Sequence, residues 1–427
     1  MAKLLIIADD FTGALDTGVQ FASKGIKTKV VIYDRNKKLI EKEDNDINVL
    51  VVDTETRHLV KEKAYDTVYD IVKKSKKENI QFIYKKTDSA LRGNIGSELV
   101  AVLEASNEDY IHFIPAFPRM NRITKKGIHY IDNVPVNESV FGQDPFEPVK
   151  YSSVKEIINS QDKVKAVEIH NLEQMIENES GILIYDAQKE NDLINIAQHL
   201  KDNNKCAIMA GCAGFAAVLP KILNLSGNTK FDVNLDEKLL VVCGSVNPIT
   251  KRQLEYGEKC GFKRIHLMPK QKLTEEYWSS KEGLNQIHQI KIDCNNNDCF
   301  IIDSNDKNDS NETFDYAKSK GMSIEQARKS ISETIGFILK KILDENINST
   351  LLVTGGDTLL GFMKTIGIKE LVPIYEIAPG CVLTQLEYNS KKYNVISKSG
   401  GFGSNNLLEN IVNLLKNKEI NKNEVRV

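Results

Sequence analysis

What most limits the fold of this chain is a rhythm in its first half. Short unbroken apolar runs alternate with longer amphipathic stretches. "LLIIA" (Leu4 to Ala8) leads to a helical stretch from Gly13 to about Lys24, which Gly25 ends. "TKVVIY" and "INVLVVD" are the next strands. "KEKAYDTVYDIVKKS" then carries Ala64, Val68, Ile71 and Val72 at helical spacing, and "QFIYKK" returns as a strand. "YIHFIP", "KAVEI", "GILIYDA" and "CAIMA" read as further strands, with "NLEQMIEN" and "NDLINIAQHL" as helices. An unbroken apolar run fits a strand buried on both faces. Strands alternating with helices predict a largely parallel sheet covered on both faces.

The rhythm restarts in the second half. "LSGNTKFDVNLDE", near Ser226 to Glu237, is polar and turn-rich between apolar segments, as a boundary would be. After it come "KLLVVCGSVNP", the helix "PITKRQLEYGEKCG" with Pro248 in its first turn, and "TLLVTGGDTLLGFMKTIG". "SIEQARKSISETIGFILKKILDE" is the longest amphipathic helix. The end, "YNVISKSGGFGSNNLLENIVNLLKN", repeats the strand, glycine turn and helix theme. Residues 270–323, rich in Lys, Asn, Asp and Ser, read as solvated surface around one strand, "DCFIID". A chain of 427 residues is too long for one ordinary core. The expectation is two α/β domains with largely parallel sheets, residues 1–230 and 231–427.

Composition excludes several classes. A net charge of −2 implies no large basic surface for nucleic acid or anionic lipid. No apolar stretch reaches the roughly 18 residues of a membrane span, and the run before Asp9 is too short for a signal peptide. The seven cysteines are scattered, as in a reduced, cytoplasmic protein. Cys294 and Cys299 in "CNNNDC" read as a plain loop, since no second pair or nearby histidine completes a metal site.

In an open parallel sheet ligands bind beyond the carboxyl ends of the strands, so the strand-to-loop junctions hold the candidate site. "IIADDFTG" puts Asp9 and Asp10 at the end of the first strand, followed by Thr12. Strand alternation gives the two acids different jobs. One accepts hydrogen bonds from ligand hydroxyls or acts as a base, and the other pairs with a cation. Helix capping accounts for one of these three residues but not for all. "YKKTDSALRGNIGSEL" gathers Lys85, Lys86, Asp88, Ser89, Arg92 and Asn94 around Gly93 before a helix, which suits an anion. Arg92 has the fork geometry to grip a carboxylate. "VVDTETRHL" adds Arg57 at another strand end, with less to distinguish it from a solvated residue. Acids for hydroxyls and bases for a carboxylate suit a small polyhydroxy acid. "PAFPRMNRITKK" and the hairpin "GIHYIDNVPV" read as an ordered region of the first domain, "FGQDPFEP" as a rigid loop, and His129 as a structural hydrogen-bonding residue.

In the second half, "LLVTGGDTLLGF" places Gly355 and Gly356 in a turn with Asp357 and Thr358 opening a helix. "KSGGFGS" brings Gly400 and Gly403, and "VVCGSVNP" brings Gly244 and Ser245. Glycines let backbone approach phosphate closely, and a helix N-terminus supplies N–H donors. Repeated after apolar strands, such loops point to a nucleotide. Neither a Walker-type loop nor a GxGxxG fingerprint occurs.

The chain resembles the four-carbon acid sugar kinases, which phosphorylate threonate, erythronate or 3-oxo-tetronates with ATP. The resemblance runs over nearly the whole chain through "ADDFTGALDTG", "KKTDSALRGNIGSEL", "PAFPRMNRITKKGIHYIDNVPVNESVFGQDP", "CGSVNPIT", "TGGDTLLG" and "SKSGGFGS". It implies an N-terminal substrate domain and a C-terminal nucleotide domain, both three-layer α/β/α with a ligand cleft between them, together with ATP and Mg²⁺. By motif, Asp9, Asp10, Thr12, Lys86, Asp88, Ser89 and Arg92 would line the acid site. Ser245, the turn from Gly355 to Thr358 and the glycines of "SGGFG" would hold ATP. The chain departs from the family pattern at Ala90, Asp357 and Gly401, where Thr, Glu and Asn are usual. The shorter Asp357 changes how a metal or phosphate is reached.

On this reading Asp10 takes the proton of the attacking hydroxyl, and the product is a 4-phosphate. Two other classes compete. "LLIIADDFTG" loosely resembles the strand of haloacid-dehalogenase-type phosphatases with an Asp nucleophile. That family spaces its aspartates one residue apart and has no use for a glycine-rich second domain. The other is a non-catalytic sensor of sugar acids. ATP turnover that depends on added tetronate separates the three. The sequence leaves open which tetronate and hydroxyl react, which residues hold the metal, and whether the chain is a homodimer.

Overall fold

In a computed structural model the structure describes residues 2–417, apart from 42–43, 45, 145–146, 173–179, 232, 234, 308–309 and 346–348. The chain divides into two compact units, Met1–Lys230 and Phe231–Val427. In chain order the first contains β1 (Leu4–Ala8), α1 (Phe11–Ala22), β2 (Thr28–Ile32), β3 (Val49–Asp53), α2 (Lys61–Lys77), β4 (Phe82–Lys86), α3 (Ile95–Ser106) and β5 (Tyr110–Ile114). A small antiparallel sheet follows, β6 (Arg122–Lys125), β7 (Ile128–Ile131) and β8 (Val134–Pro135). Then come α4 (Val154–Gln161), β9 (Ala166–Ile169), β10 (Gly181–Tyr185), α5 (Glu190–Asp202), β11 (Ile208–Gly211), α6 (Ala213–Ala216) and α7 (Leu219–Ile222).

The main sheet runs β2-β3-β1-β4-β11-β5-β10-β9 with parallel neighbours. Its central strands are buried on both faces, which is why they read as unbroken apolar runs. Leu5 and Ile7 of β1 share a core with Val68 and Ile71 of α2, Leu99 of α3 and Ile157 of α4. Leu4 and Ile6 point to the other face, and α1 packs against β2 and β3. Winding from β1 goes first toward β2 and β3, then crosses to β4. The switch lies between β1 and β4, where an open α/β sheet leaves a crevice beyond its carboxyl ends. Helix α1 begins at Phe11, two residues before the expected start, because the Asp10 side chain caps it. Of the expected helix "NLEQMIEN", residues 173–178 lie outside the described residues.

The second unit contains β12 (Leu239–Cys243), α8 (Pro248–Lys259), β13 (Lys263–His266), α9 (Pro269–Leu273), α10 (Lys281–Asn296), β14 (Cys299–Asp303), α11 (Glu312–Ser319) and α12 (Ile324–Asp344). They are followed by β15 (Thr350–Thr354), α13 (Gly356–Ile366), β16 (Glu370–Ala378), β17 (Cys381–Tyr388), β18 (Lys391–Lys398) and α14 (Leu407–Lys416). Its strands run β13-β14-β12-β15-β18-β17-β16, parallel from β13 to β18 and antiparallel beyond. The first strand is again flanked by the third and fourth, so β12 and β15 enclose a second switch point.

The structure corrects the sequence reading in places. Residues 270–323 are not mainly solvated surface. They hold α9, α10 and α11, and the sole tryptophan, Trp278, is fully buried there with Nε1 donating to Gln271 O at 2.8 Å. Polar side chains hid this because several are buried and paired, as Lys272 is with Asp306 at 2.5 Å. Cys294 and Cys299 lie at a helix end and a strand start, both buried, and not in a loop. The last region adds an antiparallel meander, β16-β17-β18, whose final turn holds Asn389 and Ser390 at φ +50° and +59°. Two successive positive φ values mark the primed turn of a tight hairpin. Asp132 and Asn133, at +49° and +67°, close β7 to β8 in the same way. Among the described residues no helix is long and apolar enough to cross a membrane.

Beneath the carboxyl edge of the first unit's sheet, Lys85 Nζ lies 2.8 Å from Glu98 Oε2, both side chains fully buried. Breaking such a pair leaves an uncompensated charge, whereas replacing both ions does not. Glu98→Leu alone is expected to cost about 3–5 kcal/mol in urea unfolding followed by circular dichroism. Lys85→Met with Glu98→Leu should recover most of that loss. A double variant as unstable as the single one would show that the ion pair itself stabilises the unit.

Candidate functional site

The parallel register brings Ala8, Asp53 and Lys86 abreast at the ends of β1, β3 and β4. The residues after them therefore converge. Arg57 lies at the centre of this cluster, 8% exposed. Its Nε donates to Asp9 Oδ2 at 2.7 Å, Nη1 to Asp10 Oδ2 at 3.0 Å, and Nη2 lies 2.6 Å from Asp10 Oδ1 and 3.7 Å from Asp88 Oδ1. Lys86 Nζ is 3.4 Å from both Asp9 and Asp10. Arg57, the least distinctive candidate in the sequence, is thus the residue that joins the others.

Its position is built by neighbours. Asn94 Nδ2 donates to Thr56 O at 2.9 Å and Leu59 O at 2.8 Å, fixing the loop that carries Arg57. Gly93 has φ +82°, and a Cβ there would stand 2.9 Å from Arg57 Cγ. That close approach requires the glycine.

Asp9 and Asp10 do not divide into one cation partner and one free acid, as alternation suggested, because both meet Arg57 and Lys86. Their surroundings still differ. The Asp9 side chain is 3% exposed and that of Asp10 20%. Asp10 also caps α1, accepting from Gly13 N at 3.2 Å and from Thr12 Oγ1 at 2.9 Å. Burial would raise the Asp9 carboxyl, but the charges of Arg57, Lys86 and Lys85 outweigh it and hold Asp9 well below the usual carboxylate range. Asp88 is likewise held low, as Arg92 and Arg57 overcome its burial. Lys85, which alternation turns away from Lys86, is used by Glu98 and does not line the cluster.

The fork of Arg92 does not face outward. Its Nε and Nη2 hold Asp88 at 2.9 and 3.2 Å, leaving Nη1, 3.3 Å from Asp144. The N-terminus of α3 is also taken, since Gly96 N donates to Gln161 Oε1 at 2.7 Å. Ser89 Oγ accepts from Arg122 Nη1, and Ser89 O bonds His129 Nε2 at 2.9 Å. Burial pushes the His129 imidazole down to about 4, so it is neutral at pH 7 and braces the loop, in line with its structural reading. Arg122 and Asp144 were not among the sequence candidates. Arg122 stood in a quoted motif, but only the β6–β7 hairpin swings it beside Ser89.

In the second unit, Gly244, Ser245, Gly355, Thr358 and Gly400 meet at the β12–β15 switch. A Cβ on Gly244 would fall 1.8 Å from Thr358 Oγ1, and one on Gly400 2.4 Å from Ser245 Oγ. Gly355 has φ +104°, and Gly356 opens α13 behind it. The N–H groups of Gly244 and Gly355 are used by Thr354 O and Lys398 O at 3.1 Å, so the donors this glycine cradle offers are the first N–H groups of α13, a helix N-terminus suited to phosphate. From α8, Thr250 Oγ1 holds Gly400 O at 2.8 Å and Gln253 Nε2 holds Phe402 O at 3.0 Å. Gly403, at φ +94°, packs on Gln253 and Leu407 at the foot of the loop. Asp357 turns away and pairs with Arg328 at 2.9 Å. Among the described residues, no group of three His, Cys, Asp or Glu side chains forms a metal site.

Residues 4–219 match the model of a sugar-binding N-terminal domain, and residues 240–408 that of a nucleotide-binding C-terminal domain. The chain is 28% identical to a D-threonate kinase from Salmonella typhimurium, over 95% of this chain and 96% of that protein. It is 25% identical to a D-erythronate kinase from Heliobacterium modesticaldum, over 95% of each. A 3-oxo-tetronate kinase from Pseudomonas savastanoi is 22% identical, over 93% and 94%. Among solved structures, one from Salmonella typhimurium LT2 superposes with a TM-score of 0.78 at 19% identity, covering 96% of this chain and 99% of that one. Another, from Haemophilus influenzae, gives 0.69 at 21% identity, covering 96% and 100%. These likenesses establish the fold.

Beside the cluster, Asp53 is fully buried and its Oδ2 has no hydrogen-bond partner. Burial, then the charges of Glu55, Asp10 and Asp9, push its carboxyl well above the usual range. An acid raised in this way contributes its full stability below the unfolded value of about 3.9 and loses it as pH rises through the folded value. Asp53→Asn stays neutral throughout. Its melting temperature should therefore gain on the wild type as pH rises above the unfolded value of about 3.9, until the folded value is passed. A gap that does not widen would mean that Asp53 carries no raised carboxyl.

Proposed function

We propose, from the premise that the chain belongs to the four-carbon acid sugar kinase family, that it transfers the terminal phosphoryl group of ATP to a hydroxyl of a four-carbon sugar acid. The product is the 4-phosphate. The observation that carries this reading is a balanced cluster of carboxylates and cations at one switch point and a bare glycine cradle at another. Carboxylates recognise sugar hydroxyls, and guanidinium and ammonium groups recognise a carboxylate. The relatives named as D-threonate, D-erythronate and 3-oxo-tetronate kinases support the substrate class.

Asp10 is the base. It is the more exposed of the two adjacent acids, and its cap bonds to Gly13 and Thr12 fix its carboxylate. It takes the proton as the substrate oxygen bonds to phosphorus and the phosphorus–oxygen bond to ADP breaks. Asp9, almost closed to solvent, orients the acid without moving protons. Thr12, Arg57, Lys86, Asp88, Ser89 and Arg92 shape and charge the rest of the substrate site. Ser245, Gly355, Gly356, Thr358 and Gly400 hold the nucleotide phosphates, with Gly403 shaping their loop. Magnesium bound with the nucleotide would need only one or two protein carboxylates and would supply charge neutralisation during transfer. Asp357, next to the cradle in sequence, would have to leave Arg328 to serve as one of them.

A coupled ADP-release assay across a panel of tetronates tests the reading. Turnover should require the acid, and ATP hydrolysis without it should be negligible. Acid-independent hydrolysis, or none with any tetronate, would reject the kinase assignment. Asp10→Asn should lower kcat by roughly 10²–10⁴-fold, the range for a positioned base, with ATP affinity unchanged. Normal turnover in this variant would remove Asp10 from the chemistry.

Gly355→Val separates the two sites. The left-handed backbone there is strained by any β-branched residue. The KM for ATP should rise, while the affinity for the acid, measured without nucleotide, stays as in the wild type. The reverse pattern would exchange the roles of the two units.

A further inference from the structure

The sugar-acid cluster contains a carboxylate contact that the mechanism above does not use. Asp144 Oδ2 lies 3.3 Å from Arg92 Nη1, the one edge of that guanidinium not held by Asp88. Asp144 is itself fixed, because its Oδ1 accepts from Glu147 N at 3.0 Å. The same segment carries Phe141, whose ring centre is 5.1 Å from Arg92 Cζ and 5.3 Å from Arg122 Cζ. Phe141 thus places a flat apolar surface against both cations and holds the segment over them. Arg92 and Asp144 have side chains 24% and 20% exposed, against 9% for Arg57 and 6% for Lys86. With Asp10, 20% exposed, the Arg92–Asp144 edge is therefore a part of the cluster open to an entering molecule.

Charge makes the contact consequential. Arg57, Lys86, Arg92 and Arg122, which bonds Ser89, stand against Asp9, Asp10 and Asp88, so the cations are one in excess. Asp144 offsets that excess where the cluster would otherwise favour an anion. An entering carboxylate would make the same bond to Arg92 Nη1 that Asp144 makes, and would be repelled by it.

We infer that Asp144 is an intramolecular competitor of the substrate's carboxylate. The acid group of the sugar binds Arg92 Nη1 in exchange for Asp144, and this exchange sets how tightly four-carbon acids are held. The inference rests on the sugar-acid reading of the first unit. It gives Asp144 the role of a specificity-determining residue outside the chemistry. Residues that bind the acid should weaken it when neutralised, whereas Asp144 should do the opposite.

The test uses the full chain and isothermal titration with D-threonate and D-erythronate, then with MgATP. Asp144→Asn keeps the shape and removes the charge. Tetronate affinity should rise about two- to fivefold, the scale of a partly exposed ion pair. Affinity for MgATP should not move. Asp144→Glu, which keeps the competitor, should stay near the wild type. Asp144→Ser removes the charge by another route and serves if the Asn variant does not fold. Unchanged or weaker tetronate binding in folded charge-free variants would overturn the inference and leave the kinase reading intact. A wild-type chain that neither binds nor phosphorylates any tetronate would overturn both.

Discussion

The first unit is organised around one guanidinium. Arg57 bridges Asp9 and Asp10 and lies 3.7 Å from Asp88, from a side chain almost closed to solvent. Asp9 and Asp88 could not be kept charged in so small a buried space without it, Lys86 and Arg92. The surrounding architecture serves this arrangement. Gly93 leaves room for the arginine stem, and Asn94 ties down its loop. The register of β1, β3 and β4 puts the acids and cations on one edge. Beneath them Lys85, held by Glu98, adds a positive charge that helps keep Asp9 ionised. The strain that remains falls on Asp53, a buried acid beside others of the same sign. Polar groups held against their stability preference concentrate at functional sites.

Both units reach their sites by the same topological route. In each, the first strand lies between the third and the fourth, and the loops after the first and fourth meet across the reversal in winding. The side chains placed there differ completely. The first unit fills its crevice with charge, and the second strips its crevice to glycine, serine and threonine. One arrangement suits a small ligand bristling with hydroxyls and a carboxylate. The other suits a phosphate chain that backbone N–H groups can approach. Function follows from the side chains at the switch point and not from the shared topology.

Much of this was legible in the sequence, for identifiable reasons. Buried parallel strands appear as unbroken apolar runs, so β1, β3, β10, β12 and β15 could be read directly. Strand ends locate a site, so Asp9, Asp10, Lys86, Asp88 and the glycine loops stood out as candidates. What was not legible depended on pairing across long separations. The Arg92 fork looked free for a ligand, yet Asp88, four residues earlier, uses it. Arg57 looked ordinary until β3 was set beside β1. Asp144 lay in what read as a rigid loop, and nothing local joins it to Arg92. The helices within residues 270–323 were hidden because buried polar residues such as Gln271 and Lys272 are satisfied inside the fold, by Tyr277 and by Ser304 and Asp306, and carry no apolar signature. The β17–β18 hairpin had its signal in Asn389 and Ser390, a turn pair weaker than Asn-Gly.

The burial of Trp278 gives the molecule an uneven optical property. It is the sole tryptophan, it belongs wholly to the second unit, and its indole is sealed beside Tyr277 with their ring centres 5.2 Å apart. Tryptophan emission therefore senses the nucleotide-type unit and is blind to the other. The fifteen phenylalanines and fourteen tyrosines are spread along the chain, and backbone dichroism samples both units. In a two-unit protein, where a single melting curve need not describe one transition, the two signals together tell which half has come apart first.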